Sequence, residues 1–291
     1  MIVAIASGKG GTGKTLLATG LAQVLAADGL ATVHLLDCDV EEPNDHLFLS
    51  PTLTRKEEVS ILVPKIDLAR CTFCGRCAQV CTFHALAVVQ KKVLTFPQLC
   101  HGCGSCARQC ASGAISEEPM RMGQLEAGDA GKIHFAQGLM DVGQAMATPV
   151  IRRLKQWAIP REAEGDPLVL LDSPPGNACS VVETLRGSDF ALLVTEPTPF
   201  GLHDLEIAVE LARGELKLPV GVVVNRDGVG DHGVDDFCAR AGVPILLRIP
   251  LDRRIAEAYS AGALWVDAIP EYREPLRRLY REVQAQIGGG Q

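Results

Sequence analysis

Eight of the eleven cysteines fall inside one 40-residue window, and their spacing is the most specific chemical signal in the chain. Cys71, Cys74, Cys77 and Cys81 stand in the pattern C-x2-C-x2-C-x3-C, and Cys100, Cys103, Cys106 and Cys110 repeat it at an offset of 29. Gly75 and Gly104, Ala78 and Ala107, and Ala85 and Ala114 recur at the same offset. This marks a duplicated unit, too short for a solenoid repeat and suited to a small pseudo-symmetric module. In a chain of the reducing cytosol, thiols packed this closely argue for metal ligation, not disulfides. Zinc sites favour two C-x2-C pairs separated by a longer spacer. Three closely spaced thiolates can instead cap three irons of one cubic cluster.

A second chemical signal lies upstream. The string "GKGGTGKT" fits G-x-x-x-x-G-K-[ST] through Gly8, Gly13, Lys14 and Thr15. Residues 2–6 before it read as a buried strand. A helix over about 14–27 follows, with Leu16, Leu17, Leu21, Val24 and Leu25 at helical spacing. In that setting Gly8, Lys9, Gly10, Gly11, Thr12 and Gly13 can turn their backbone N–H groups into a concave nest around phosphate oxygens. The helix N-terminus adds its positive dipole end. Lys14 neutralises charge on the outer phosphates, and Thr15 offers a hydroxyl to Mg²⁺. ATP or ADP with Mg²⁺ is the ligand this chemistry implies.

Other elements must position these two sites. "TVHLLDCD" reads as a second buried strand ending in acidic residues, "EEPNDHLFLSP" as a loop, and "VSILVPKI" as an extended stretch leading to the cysteines. Residues 120–148 are Gly-rich and weakly patterned, with "HFAQGLMDVG" read as short strands and turns; "TPVIRRLKQWA" reads as a helix. From Pro167 onward, "PLVLLDSPPG", "DFALLVTEP", "PVGVVVN" and "VPILLRIP" are short apolar runs, mostly separated by helical stretches. Such runs imply a parallel sheet covered on both faces. "EPLRRLYREVQAQI" is an amphipathic helix, followed by a flexible "GGGQ". The expected fold is therefore α/β, a doubly wound and mostly parallel sheet with a small α+β insertion. Residues 1–63 and 119–291 would form the nucleotide domain, and residues 64–118 the insert.

Composition narrows the partners. With 47% hydrophobic residues the chain can bury a substantial core. A net charge of −7 disfavours nucleic acid, because phosphate neutralisation needs clustered Lys and Arg, and it disfavours anionic membrane surfaces too. "MIVAIASG" has no basic leader, and no apolar run approaches 18 residues, so a cytoplasmic location is expected.

The extra lysine, Lys9, makes the loop resemble the deviant Walker A motif K-G-G-x-G-K-[ST] of the MinD/ParA/Mrp and nitrogenase iron protein group of P-loop ATPases. The resemblance implies an ATP-sandwiched dimer, of two identical chains or of this chain with a similar ATPase. Lys9 would reach the other subunit's phosphates, as an arginine finger does in trans. "LLDCD" resembles the end of the switch I strand. Asp37 and Asp39 are then implied in contacting Mg²⁺-bound water and in positioning the attacking water, with Asp39 preferred for the latter. "LVLLDSPPG" resembles the Walker B and switch II segment; Asp172 would hold the Mg²⁺ shell and Gly176 would offer its N–H to the γ-phosphate. "VVVNR" resembles the adenine-reading strand end, with Asn225 as amide reader. "IPLDRRIAEAYSAG" resembles the last nucleotide-side loop, with Pro250 and Asp252 near the base.

The cysteine runs resemble bacterial ferredoxins that carry two [4Fe–4S] clusters. In that family the fourth cysteine of each run ligates the other cluster. This assigns Cys71, Cys74, Cys77 and Cys110 to one cluster, and Cys100, Cys103, Cys106 and Cys81 to the other. Thr82 and Ala111 stand where the family has proline, a departure that bears on loop stiffness and not on ligation. Cys179 occupies the offset of an interfacial cluster ligand in the iron protein. No second such cysteine is recognisable, and Cys179 reads as a small, partly buried residue. Cys38 and Cys238 read as core. Nearly the whole chain thus resembles ferredoxin-containing MinD/Mrp-type ATPases. The implied function is ATP hydrolysis and dimerisation coupled to electron transfer, or to metallocluster assembly on a redox or metallocluster partner protein. Two alternatives share the fold: a MinD-like positioning ATPase anchored to membrane by its C-terminal helix, and an ATP-dependent amide ligase, which needs no cysteine module.

Overall fold

The computed structural model describes residues 1–160 and 167–288; the last three residues of the expected flexible tail lie outside them. The strands are β1 (Ile2–Ala6), β2 (Val33–Asp37), β3 (Thr52–Ile66), β4 (Leu86–Val89), β5 (Lys92–Thr95), β6 (Ile115–Ala130), β7 (Ile133–Met140), β8 (Leu168–Asp172), β9 (Phe190–Thr195), β10 (Val220–Asp227) and β11 (Ile245–Pro250). The helices are α1 (Lys14–Ala27), α2 (Asp45–Leu49), α3 (Arg76–Gln79), α4 (Ser105–Arg108), α5 (Thr148–Ala158), α6 (Cys179–Leu185), α7 (Pro199–Val209), α8 (Gly233–Ala241), α9 (Arg253–Ser260), α10 (Trp265–Ala268) and α11 (Arg273–Gly288).

Among the described residues, nine strands form one sheet in the order β11-β10-β9-β1-β8-β2-β7-β6-β3, and β4 pairs with β5 separately. The run from β11 to β7 is parallel, whereas β6 and β3 add antiparallel to its edge. Helices cover both faces, with α1, α10 and α11 against one and α5, α6, α7 and α8 against the other. The alternation of apolar strands and helices therefore folds as its sequence pattern requires. Helix α1 is buried almost all round, because it lies between the sheet and the C-terminal helices. Gly20 makes room for that contact: a Cβ there would meet Trp265 Nε1 at 2.4 Å. The Trp265 indole N–H donates to the Leu16 carbonyl at 2.8 Å.

Two segments depart from their sequence reading. Residues 120–148 read as weakly patterned and 134–143 as short strands and turns, yet β6, of 16 residues, and β7, of 8, run through most of that stretch. Their glycines weaken the apolar pattern while serving close approach. A Cβ on Gly128 would meet the Thr52 carbonyl oxygen at 1.9 Å, and one on Gly123 the Leu139 carbonyl oxygen at 2.1 Å. The "EEPNDHLFLSP" loop contains α2. Strands β3 and β6 pair from Thr52/Asp129 to Ile66/Ile115. Positions 63/64 and 118/119, the expected domain edges, accordingly lie inside strands, and the sheet edge continues as a ribbon to the cysteine segment.

Helix α11 buries Leu276, Leu279 and Val283 in the core, while Arg273 and Arg277 pair with Asp28 at the end of α1. Its apolar face is thus already covered. No helix among the described residues is long and apolar enough to cross a membrane.

Candidate functional site

The loop between β1 and α1 takes the conformation its glycines allow. Gly11 and Gly13 have φ of +76° and +98°, a region costly for other residues. Gly8 is held by contact instead: a Cβ there would meet Asp204 Cβ and the Asp204 carbonyl oxygen at 2.5 Å. Ser7 Oγ donates to the Lys9 carbonyl at 2.6 Å, which braces the loop's first turn. A cleft at the C-terminal ends of the strands is lined by Gly10, Gly11, Gly13, Lys14, Thr15, Asp39, Pro175, Asn225, Pro250, Asp252, Ile255 and Tyr259. That is where a doubly wound sheet places its ligand.

Lys14 is 7% exposed. Burial lowers its pKa, and Asp172 and Asp39 oppose that shift by favouring the ammonium form. Thr15 Oγ1 donates to Asp172 Oδ2 at 2.6 Å, so the loop and the end of β8 meet at one point. Asp39 has its pKa raised to about 6 by burial, an effect that Lys14 opposes. Thr12 Oγ1 is buried without a hydrogen-bond partner, as is Asp172 Oδ1.

Several residues expected to serve the nucleotide are engaged elsewhere. Asn225 Nδ2 donates to the Thr12 carbonyl at 2.7 Å, and its Oδ1 accepts from the Arg226 N–H at 2.9 Å. Its amide is therefore braced against the loop, with one N–H and one oxygen lone pair left over, and Asn225 also lines the cleft. The Gly176 N–H donates to the Ser7 carbonyl at 3.1 Å. Asp252 lines the cleft, but its carboxylate caps α9 through the Arg254 N–H and pairs with the Arg254 side chain. Lys9 Nζ lies 3.1 Å from Glu196 Oε2 of its own chain. Cys179 is exposed, not partly buried as its sequence context suggested, while Cys38 and Cys238 are buried in the core.

Asp37 is the organiser of its loop. Its Oδ1 accepts from the Asp39 N–H, and its Oδ2 from the N–H groups of Asn44 and Asp45. Sequence reasoning missed Asp45. It is 0% exposed, and neither carboxylate oxygen has a hydrogen-bond partner. One oxygen from each of Asp37, Asp45 and Asp172 lies within 4.8 Å of the others. Burial raises the pKa of all three, and mutual repulsion adds to the shift for Asp37 and Asp45. A buried carboxylate trio is costly unless a cation or protons compensate it. No motif spacing announced Asp45, because its burial arises only when α2 folds against β2 and β8.

In the cysteine segment, the duplication is visible in the backbone. Phe73 and Gly102, 29 apart, have φ of +56° and +65°; His84 and Gly113, also 29 apart, have +54° and +59°. Cys71, Cys74, Cys77 and Cys110 line one cavity with Ile66, Val88, Val93 and Ile115. Cys81, Cys100, Cys103 and Cys106 line a second with Leu62, Ala85, Leu86 and the Phe83 and His101 rings, which stack at 3.6 Å. Backbone N–H groups donate to sulfur in matched positions: Phe73 to Cys71 and Gly102 to Cys100, Ala85 to Cys81 and Ala114 to Cys110. At Cys110 the Ser112 side chain, helped by the Ala114 N–H, lowers the thiol pKa, whereas at Cys100 burial outweighs the Gly102 N–H and raises it.

The strand–loop–helix nest, with an aspartate at the end of the neighbouring strand, defines a P-loop α/β nucleotide-binding protein. A model of the CobQ/CobB/MinD/ParA nucleotide binding domain matches residues 3–265, and the chain belongs to that family. An uncharacterized protein of Methanocaldococcus jannaschii is 30% identical over 263 residues, 90% of either chain. The iron-sulfur cluster carrier protein of Deinococcus radiodurans is 27% identical over 304 residues, covering 98% of this chain and 69% of the carrier. Among solved structures, the cell division ATPase MinD of Pyrococcus furiosus aligns over 98% of both chains with a TM-score of 0.58 and 22% identity. That likeness is one of fold.

Proposed function

We propose that this chain is an ATP-hydrolysing iron–sulfur protein in which nucleotide-dependent dimerisation governs electron transfer, or metallocluster assembly, on a partner. The observation that carries the reading is the sorting of eight cysteines into two quartets, each lining its own cavity, at the end of a ribbon continuous with the nucleotide sheet. All-thiol quartets with apolar walls and N–H donors to sulfur fit [4Fe–4S] clusters in a ferredoxin-like module spanning about residues 64–118. The likeness to an iron–sulfur cluster carrier supports the same chemistry.

When bound, the clusters supply one-electron transfer. At the other site the loop's N–H groups and Lys14 would hold the phosphates, and Thr15 and Asp172 would hold Mg²⁺. The orphaned Thr12 Oγ1 and Asp172 Oδ1 are buried polar atoms that such a ligand would satisfy, directly or through water. Asp39, on the cleft wall, orients the attacking water. Asp37 fixes the loop that carries Asp39, and Asp45 adds carboxylate to the cation shell. For the Gly176 N–H to reach a γ-phosphate it must leave the Ser7 carbonyl. On this reading switch II would rearrange with the nucleotide state. The first test is anaerobic purification with iron and sulfide counting, EPR of the reduced protein, and ATP turnover by the same sample. Absence of clusters with turnover retained would remove the redox part of the reading.

Lys9 must exchange Glu196 for the opposite subunit's phosphates if it acts in trans. Lys9→Ala is then expected to abolish dimerisation with a non-hydrolysable ATP analogue. Glu196→Gln, which loosens the internal pair, should strengthen dimerisation severalfold. Light scattering with and without the analogue reads both outcomes, and equal dimer fractions in wild type and Lys9→Ala would exclude the role in trans.

A further inference from the structure

The β4–β5 hairpin carries apolar residues on both faces, the pattern of a strand pair covered on both sides. Its inner face is covered by the module: Val88 and Val93 line the cavity of the Cys71 quartet, and Leu86 lines that of the Cys100 quartet. Register places Leu94 opposite Ala87 and Lys92 opposite Val89 on the outer face. There Val89, Leu94 and the adjoining Phe96 are 56%, 45% and 41% exposed. Charge in the surrounding segment of sequence has one sign. From Leu68 to Ser116 the sequence contains Arg70, Arg76, Lys91, Lys92 and Arg108 and no Asp or Glu, in a chain of net charge −7. Lys91 and Lys92 sit at the hairpin's tip and are exposed. Cluster-bound thiolates would place negative charge beneath the hairpin, so the cations at its rim are what an approaching surface meets.

We propose that the outer face of the β4–β5 hairpin is the docking surface for a small acidic electron-transfer protein. The proposal rests on the cluster reading above and names the partner class for it. A few exposed apolar residues rimmed by cations match the small, transient interfaces of redox encounters better than the large patch of a permanent dimer. A protein seated there would lie one strand layer from both cysteine cavities. An acidic partner also explains why this long segment lacks carboxylates, since like charge against such a surface is repulsive.

The test titrates the cluster-loaded full chain with a small, strongly acidic ferredoxin and measures affinity by calorimetry at low and high salt. Lys91→Glu with Lys92→Glu, and separately Leu94→Asp and Val89→Ser, are each expected to weaken binding by about tenfold or more. Iron content and EPR signal should stay unchanged, and salt should weaken the wild type but hardly affect the charge-reversed variant. Unaltered affinity in all three variants, with clusters retained, would overturn the proposal. So would light scattering in which Leu94→Asp dissolves a homodimer, since that assigns the face to a second copy of the chain. A wild type without iron or EPR signal would instead overturn the cluster reading itself, and the electron-transfer partner with it.

Discussion

Cys110→Ser is expected to cost this protein the cluster proposed at Cys71, Cys74 and Cys77, although Cys110 belongs by sequence to the second run. Cys110 shares a cavity with those three, while Cys81, from the first run, faces Cys100, Cys103 and Cys106. The crossing follows from the duplication, since each fourth cysteine lies past a short helix and is carried toward the opposite half. Iron and sulfide in either Cys110→Ser or Cys81→Ser should fall to about half of the wild-type content. Double variants decide the pairing. Cys71→Ser added to Cys110→Ser should remove no further iron, because both changes strike one site. Cys103→Ser added to Cys110→Ser should remove nearly all of it. The reverse result would assign each run to its own cluster. A loss of both clusters in every single variant would mean that the module folds only when fully loaded, a coupling of metal binding to folding.

The parts of the molecule legible in the sequence are those whose chemistry is local. Spacing announces three of the four cysteines of each quartet, because they stand on neighbouring turns; the fourth comes from the other run, and only the resemblance to two-cluster ferredoxins pointed to it. Apolar runs announce β8 to β11, because strands buried on both faces tolerate few polar residues. Strand β6 defeats the same reasoning. Glu117, Glu118, Arg121, Gly123, Gln124 and Gly128 break its alternation, and it is held by ladders to β3 and β7 on both sides. Asn225 shows a further limit. Its place at a strand end near the cleft is readable, but the carbonyl it binds belongs to a loop 213 residues away in sequence.

The same topology joins the two sites. Asp45 opens α2, α2 leads directly into β3, and β3 runs the length of the ribbon to the cysteine segment. Any movement of the Asp37 loop on nucleotide or cation binding would therefore reach the paired strands β3 and β6, not a loop linker. A two-state element biased from both ends is what coupling between distant sites requires. If the proposed clusters are coupled to the nucleotide through it, reciprocity requires that their reduction alter nucleotide affinity by the same factor by which nucleotide alters the affinity for the electron.

Asp45→Asn should change cation affinity and stability in opposite directions. The variant keeps the side chain's size and removes one of three buried carboxyl groups that crowd within 4.8 Å. In the absence of a divalent cation this relieves repulsion, and the melting temperature is expected to rise by about 2–4 °C. With ADP present, the affinity for Mn²⁺, read by EPR of the free ion, should fall by about tenfold or more. The pH dependence has a definite sign. Asp39 and Asp172 titrate near 6 in the folded chain, above the 3.8 of an ordinary aspartate. Raised carboxylate values mean that folding favours the protonated form. The stability these groups contribute is complete below their unfolded value and is lost as pH rises through about 6. The cation-free wild type should melt at lower temperature at pH 7.5 than at pH 5.5, and Mg²⁺ with ADP should flatten that slope by holding the carboxylates ionised. If Asp45→Asn raises the melting temperature but leaves Mn²⁺ affinity unchanged, Asp45 is a buried acid outside the cation shell. If it lowers the melting temperature, the trio is a structural anchor and the stored-repulsion account fails.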